Sequence, residues 1–121
     1  MMPDSPVTWI GIDVAKESLD VAYASPGGIE RHLVENSRCG HSSLIERLPA
    51  QGEARVVVEA TGGYERALVT ALIEAGYRVA VVNPRQVRDF AKALGILAKT
   101  DRIDALVLAR FGEQVRPRLL E

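Results

Sequence analysis

The sequence predicts an α/β domain built on one mixed five-stranded sheet with helices on both faces. Two observations carry that expectation. The first 35 residues hold three β-rich runs joined by turn-length links, which imply antiparallel hairpins. From about residue 41 the apolar period changes. Helical stretches then alternate with short apolar runs of the kind that fill buried parallel strands.

Each element has its own signal. Val7 to Val14 is rich in β-formers, with Trp9, Ile10 and Ile12. Ser18 to Ala24 alternates around Asp20 and Ala22. Pro26-Gly27-Gly28 marks a turn, and Ile29 to Glu35 returns as the third strand. His41 to Leu48 sets Leu44, Ile45 and Leu48 on one helical face, stopped by Pro49. Ala54 to Glu59 is a buried strand around Val56-Val57-Val58, broken by Thr61-Gly62-Gly63. A helix over Tyr64 to Ala75 ends at Gly76, and Arg78 to Val82 is the fifth strand. Asn83-Pro84 opens a helix from Arg85 to Leu94. Gly95 interrupts, and Thr100 caps a last helix from Asp101 to about Gly112. Beyond it Pro117 breaks the helix, and Leu119 and Leu120 follow with nothing to pack on. The later β-α-β units require right-handed crossovers between parallel strands.

Bulk properties bound the function. A chain of 121 residues, 47% hydrophobic, is one domain spanning residues 1–121 with an ordinary core. No apolar run is long enough to span a bilayer, and residues 1–6 lack a signal-peptide pattern, so a cytoplasmic protein without membrane attachment is expected. Cys39 is the single cysteine, which excludes an internal disulfide, and no Cys/His cluster suggests zinc. His32 and His41 read as surface or half-buried polar residues. The net charge of −1 hides a split. Residues 1–75 hold 6 basic and 11 acidic side chains, whereas residues 76–121 hold 9 basic and 5 acidic. The basic half is either a solvated helix surface or a place for phosphates.

Four carboxylates stand out by placement. Asp13 ends the first strand and Glu59 ends the Val56-Val57-Val58 strand. If these strands are adjacent and parallel, both acids emerge at the sheet end where open α/β sheets bind ligands. Asp101 and Asp104 lie three apart on the expected last helix and so share a face. Four close carboxylates repel one another, and a divalent cation removes that penalty. Magnesium suits such hard oxygen donors, and paired ions serve phosphodiester displacement without histidine. Singly, each acid has an ordinary explanation as a strand-end, turn or helix-dipole residue. Only the joint placement lifts them, while Asp20, Glu65 and Asp89 read as surface charges.

Four stretches carry a resemblance. They are Gly11-Ile12-Asp13-Val14-Ala15-Lys16, Val58-Glu59-Ala60-Thr61-Gly62-Gly63-Tyr64, Val82-Asn83-Pro84-Arg85, and Lys99-Thr100-Asp101-Arg102-Ile103-Asp104-Ala105. In order and spacing they resemble the DEDD-type insertion-sequence transposases of the IS110 family, which include the Piv-type DNA invertases. The resemblance implies a ribonuclease-H-like, RuvC-like catalytic domain whose tetrad falls on Asp13, Glu59, Asp101 and Asp104. It implies Mg2+ or Mn2+ as cofactor, DNA as substrate, metal-dependent strand cleavage and transfer, and a bacterial or archaeal source. It further implies a homo-oligomer, and in some members a structured bridge RNA as guide. Family members also carry a C-terminal domain with a serine nucleophile. The chain stops before that domain, so the isolated fragment is expected to be inactive in recombination.

Around this framework Arg85, Arg88, Lys92, Lys99 and Arg102 are the candidate phosphate contacts. The Thr61-Gly62-Gly63 turn offers backbone N–H groups either to a phosphate or to its own helix cap. Three rival readings compete. An actin-like or sugar-kinase fold also begins with such strands, but it needs a glycine-rich phosphate loop where Val14-Ala15-Lys16-Glu17 stands. A Holliday-junction-resolving nuclease shares the fold and differs in substrate. A nonenzymatic nucleic-acid-binding or dimerisation scaffold needs no metal.

Overall fold

A computed structural model describes residues 7–95 and 103–120. Its five strands are β1 (Thr8–Val14), β2 (Ser18–Ser25), β3 (Gly28–Glu35), β4 (Ala54–Glu59) and β5 (Arg78–Val82). They form one sheet in the order β3-β2-β1-β4-β5. β1, β2 and β3 pair antiparallel, and β1, β4 and β5 pair parallel. The mixed five-stranded sheet of the sequence reading is therefore observed.

The helices are α1 (Arg38–Arg47), α2 (Arg66–Glu74), α3 (Pro84–Ala93) and α4 (Ala105–Val115). Alternation along the strands divides the core in two. Ile10, Ile12, Leu19, Val21, Val56, Val58 and Val79 pack with Leu44 and Leu48 of the α1 region and Leu68 and Leu72 of α2. Trp9, Val57, Ala80 and Val82 turn to the other face, against Val87 and Ala91 of α3 and Val107, Leu108 and Phe111 of α4. Phe90 and Phe111 meet edge-on at 5.4 Å and join α3 to α4.

Two glycines let α4 lie unusually close to the sheet. A β-carbon at Gly11 would strike the Ala105 carbonyl oxygen and stand 2.6 Å from the Ala109 nitrogen. One at Gly112 would stand 2.5 Å from the Trp9 ring and 2.6 Å from a Val57 methyl. The N-terminal turn of α4 thus lies over Gly11 and its C-terminal turn over Trp9, so the helix runs antiparallel to β1.

Three expectations are corrected. The last helix begins at Ala105, with Asp104 as its N-cap, and ends at Val115 rather than Gly112. Gly112 lies inside because the crossing over Trp9 leaves no room for a side chain. Ile103 and Asp104 precede the helix. The expected cap Thr100, and Lys99, Asp101 and Arg102, lie outside the described residues. Helix α1 starts at Arg38, not His41, because Ser37 caps it by accepting from the Gly40 N–H at 3.1 Å. Finally, the tail packs in part: the Leu119 side chain is half-buried, while that of Leu120 stays exposed. Leu119 packs against the α3/α4 core, and the Leu120 N–H donates to the Val79 carbonyl on β5 at 2.7 Å.

Candidate functional site

The parallel register fixes the relation between the first two acids. Ile12 pairs with Val58, so Asp13 and Glu59 each stand one residue further along neighbouring strands. Glu59 in turn pairs with Val82 on β5. Because Ile12 and Val58 face the α1/α2 core, alternation sends Asp13 and Glu59 to the α3/α4 face. Both are half-buried.

Asp104 arrives from above. The α4 N-terminus lies over Gly11, two residues before Asp13, which brings Asp104 to the same sheet end. Its Oδ1 accepts from the Val107 N–H at 2.9 Å, so this carboxylate also caps the helix. The positive end of the α4 dipole is thereby directed at the acids. Asp20, set aside in the sequence as a surface charge, is the direct cross-strand partner of Asp13 and half-buried. Like charges directly opposite are destabilising in a sheet, and a cation offsets that repulsion.

The donor chemistry fits a hard divalent ion. Every acid at this end offers carboxylate oxygen, while Cys39 and His41 lie on or beside α1, on the opposite face. Among the described residues no three acidic, histidine or cysteine side chains gather closely enough to hold an ion by themselves.

Of the basic candidates, Arg85, Arg88 and Lys92 lie on α3, which starts immediately after β5 at this same end, while Lys99 and Arg102 lie outside the described residues. Asn83 caps it by accepting from the Arg85 N–H at 2.8 Å, and Pro84 occupies the first turn. Arg85, Arg88 and Lys92 follow at intervals of three and four, which aligns them in one stripe. Arg85 and Lys92 are exposed and Arg88 is half-buried.

The glycine turn after Glu59 is settled differently from a phosphate cradle. The Thr61 and Gly63 N–H groups donate to Glu65 Oε1 at 3.0 and 3.1 Å, and the Thr61 hydroxyl adds a third bond at 3.2 Å. Gly62 and Gly63 have φ of 72° and 109°, where glycine is the natural residue. Burial pushes the Glu65 carboxyl up, but these hydrogen bonds together outweigh it and hold the group below its ordinary value. A carboxylate of the chain thus fills the turn that the sequence also offered to a phosphate.

A second polar centre was not foreseen. Asn36 Nδ2 donates to the Ala15 and Tyr64 carbonyls, at 2.9 and 3.0 Å. Its Oδ1 meets His41 Nε2 at 2.8 Å. His41, expected at the surface or half-buried, is only 6% exposed, and its burial lowers its pKa.

Among the described residues no helix is long and apolar enough to cross a membrane. Residues 10–121 match the DEDD transposase family of IS110 type. The chain is 34% identical over 116 residues to the pilin gene-inverting proteins of Moraxella lacunata and Moraxella bovis. That alignment covers 93% of this chain but 36% of each relative, so the chain spans about a third of their length. In structure it is similar to Thermus thermophilus RuvC, solved alone and in complex with a Holliday junction substrate. The TM-scores are 0.63 and 0.64, over 94% of this chain and at least 99% of RuvC, at 19% and 20% identity. The fold is therefore RuvC-like, as expected, and the chain belongs to the IS110-type DEDD transposase family.

Proposed function

We propose that this domain is the metal-dependent nuclease part of a DNA transposase or recombinase. Asp13, Glu59, Asp101 and Asp104 would hold Mg2+ or Mn2+. The observation that carries this reading is the exit of Asp13 and Glu59 from adjacent parallel strands, on the face where the α4 N-terminus brings in Asp104. A bound pair of ions would activate the attacking oxygen and stabilise the leaving one in phosphodiester displacement. The chain's own part is to fix the carboxylates on rigid strand ends and to direct two helix N-termini at the same place. Arg85, Arg88 and Lys92, with Lys99 and Arg102, would track the DNA backbone as sequence-independent phosphate contacts.

The chain spans about a third of its curated relatives, and complete recombination would draw on the remainder of a longer protein. A homo-oligomer and a structured guide RNA belong to the same proposal. The test is strand cleavage by the full-length protein carrying Asp13→Asn. Loss of metal-dependent cleavage with an unchanged fold is expected, and undiminished cleavage would remove Asp13 from the site. A junction-resolving nuclease is the second reading, favoured by the likeness to a RuvC–Holliday junction complex. Cleavage of a four-way junction by this domain alone would select it.

A further inference from the structure

The two loops that leave the acid-bearing strands are tied together by one side chain. Asn36 follows β3 and belongs to neither loop. Its amide nitrogen donates to Ala15, two residues beyond Asp13, and to Tyr64, in the turn beyond Glu59. These partners are 21 and 28 residues away in sequence. The Asn36 N–H donates to the Glu17 carbonyl at 3.0 Å, which joins the backbone to the same loop.

The amide has one sensible orientation. Two carbonyl oxygens face its nitrogen, and a flip would set oxygen against oxygen. Oδ1 therefore accepts from His41 Nε2–H, and a buried ring holds the amide from behind. The neighbouring Gly40 lets α1 approach this closely, since a β-carbon there would strike the Glu35 carbonyl.

We propose that Asn36 is a positioning residue for the acidic site: by tying the segment behind Asp13 to the turn behind Glu59, it sets the spacing of the two carboxylates for a divalent ion. The role rests on the metal reading above. Asn36 touches neither acid and acts through the two backbone segments.

The test uses the 121-residue chain with Asn36→Ala, Asn36→Ser and Asp13→Asn. Mn2+ binding is followed by the spin resonance of free ion, and amide hydrogen exchange is recorded without metal. Asn36→Ala is expected to weaken Mn2+ binding about tenfold, the lower bound for loss of a residue supporting metal ligands. Exchange over residues 14–17 and 61–66 is expected to quicken together. Asn36→Ser keeps one short donor and gives a smaller loss, which preserves the test if the alanine variant fails to fold. Mn2+ affinity unchanged in a folded variant, with only the melting temperature lowered, would make Asn36 a fold residue and overturn the proposal. So would quickened exchange in one segment alone. Failure of the metal reading shows separately, as no Asp13-dependent Mn2+ binding in the unaltered chain, and the positioning role then falls with it.

Discussion

Gly11→Ala probes the contact that brings Asp104 to the strand-end acids. The added methyl would strike the Ala105 carbonyl and stand 2.6 Å from the Ala109 nitrogen, both helix backbone. Carbon contacts are comfortable from about 3.5 Å, and the Ala105 carbonyl is the closer of the two, so α4 must retreat by more than about 1 Å. Overpacking costs about 1–3 kcal/mol, and rigid backbone on the far side places Gly11→Ala near the top of that range. Loss of chain entropy in the unfolded state returns somewhat under about 1 kcal/mol. The net loss is about 2 kcal/mol, or roughly 8 °C in melting temperature for a domain of this size. Gly112→Ala is the control. It meets the Trp9 ring and a Val57 methyl, side chains buried in the core rather than helix backbone, and alanine gains about 1 kcal/mol of helix propensity. Its expected net loss is about 1 kcal/mol, smaller than that of Gly11→Ala. Thermal unfolding followed by circular dichroism reads both variants. Equal, small losses would refute the close crossing of α4 over β1.

Asp104 has two separable jobs. Asp104→Ala loses the cap and about 1 kcal/mol of stability, whereas Asp104→Asn keeps the cap and stays within a few tenths. Both should lose metal-dependent cleavage in the full-length protein, and an active asparagine variant would reduce Asp104 to a cap. Acid should destabilise the domain in two stages. His41 has a lowered pKa, so its stabilising contribution is complete above its ordinary 6.5 and is lost as pH falls through the lowered value. Glu65 follows below its ordinary 4.5, and urea midpoints for His41→Gln and Glu65→Gln against pH separate the stages. Arg85→Ala and Lys92→Ala should each weaken DNA binding by the full-length protein alike for all sequences. Each should reduce the salt slope by about 1, and an unchanged slope would place α3 away from the phosphates.

The sheet was legible because its signals are local. Val56-Val57-Val58, short, β-branched and bounded by charged and glycine-rich flanks, is typical of a buried strand, and Pro26-Gly27-Gly28 marks the hairpin turn. The alignment of Asp13 with Glu59 was legible only on the condition that their strands are adjacent and parallel, a condition the assembled sheet meets. The start of α4 was harder, since Thr100, Asp101 and Asp104 are all good caps; the structure takes Asp104, whose following Ala105 lies against Gly11. The end of the last helix was placed near Gly112, three residues early, because that glycine's packing role is set by Trp9 and Val57, far away in sequence. Leu119 and Leu120 looked unpartnered for a similar reason, as the β5 edge is invisible until the sheet is assembled. Asn36 and His41 carried no signal at all, because their partners lie on three separate segments.

Asp13 and Glu59 are proposed to share one divalent cation. Calorimetric titration of Mn2+ into the chain, with Asp13→Asn and Glu59→Gln in parallel, tests it most directly. Saturable binding to the unaltered chain is expected, and both substitutions should abolish it while the fold persists. Binding that survives either substitution, or none to the unaltered chain, would contradict it.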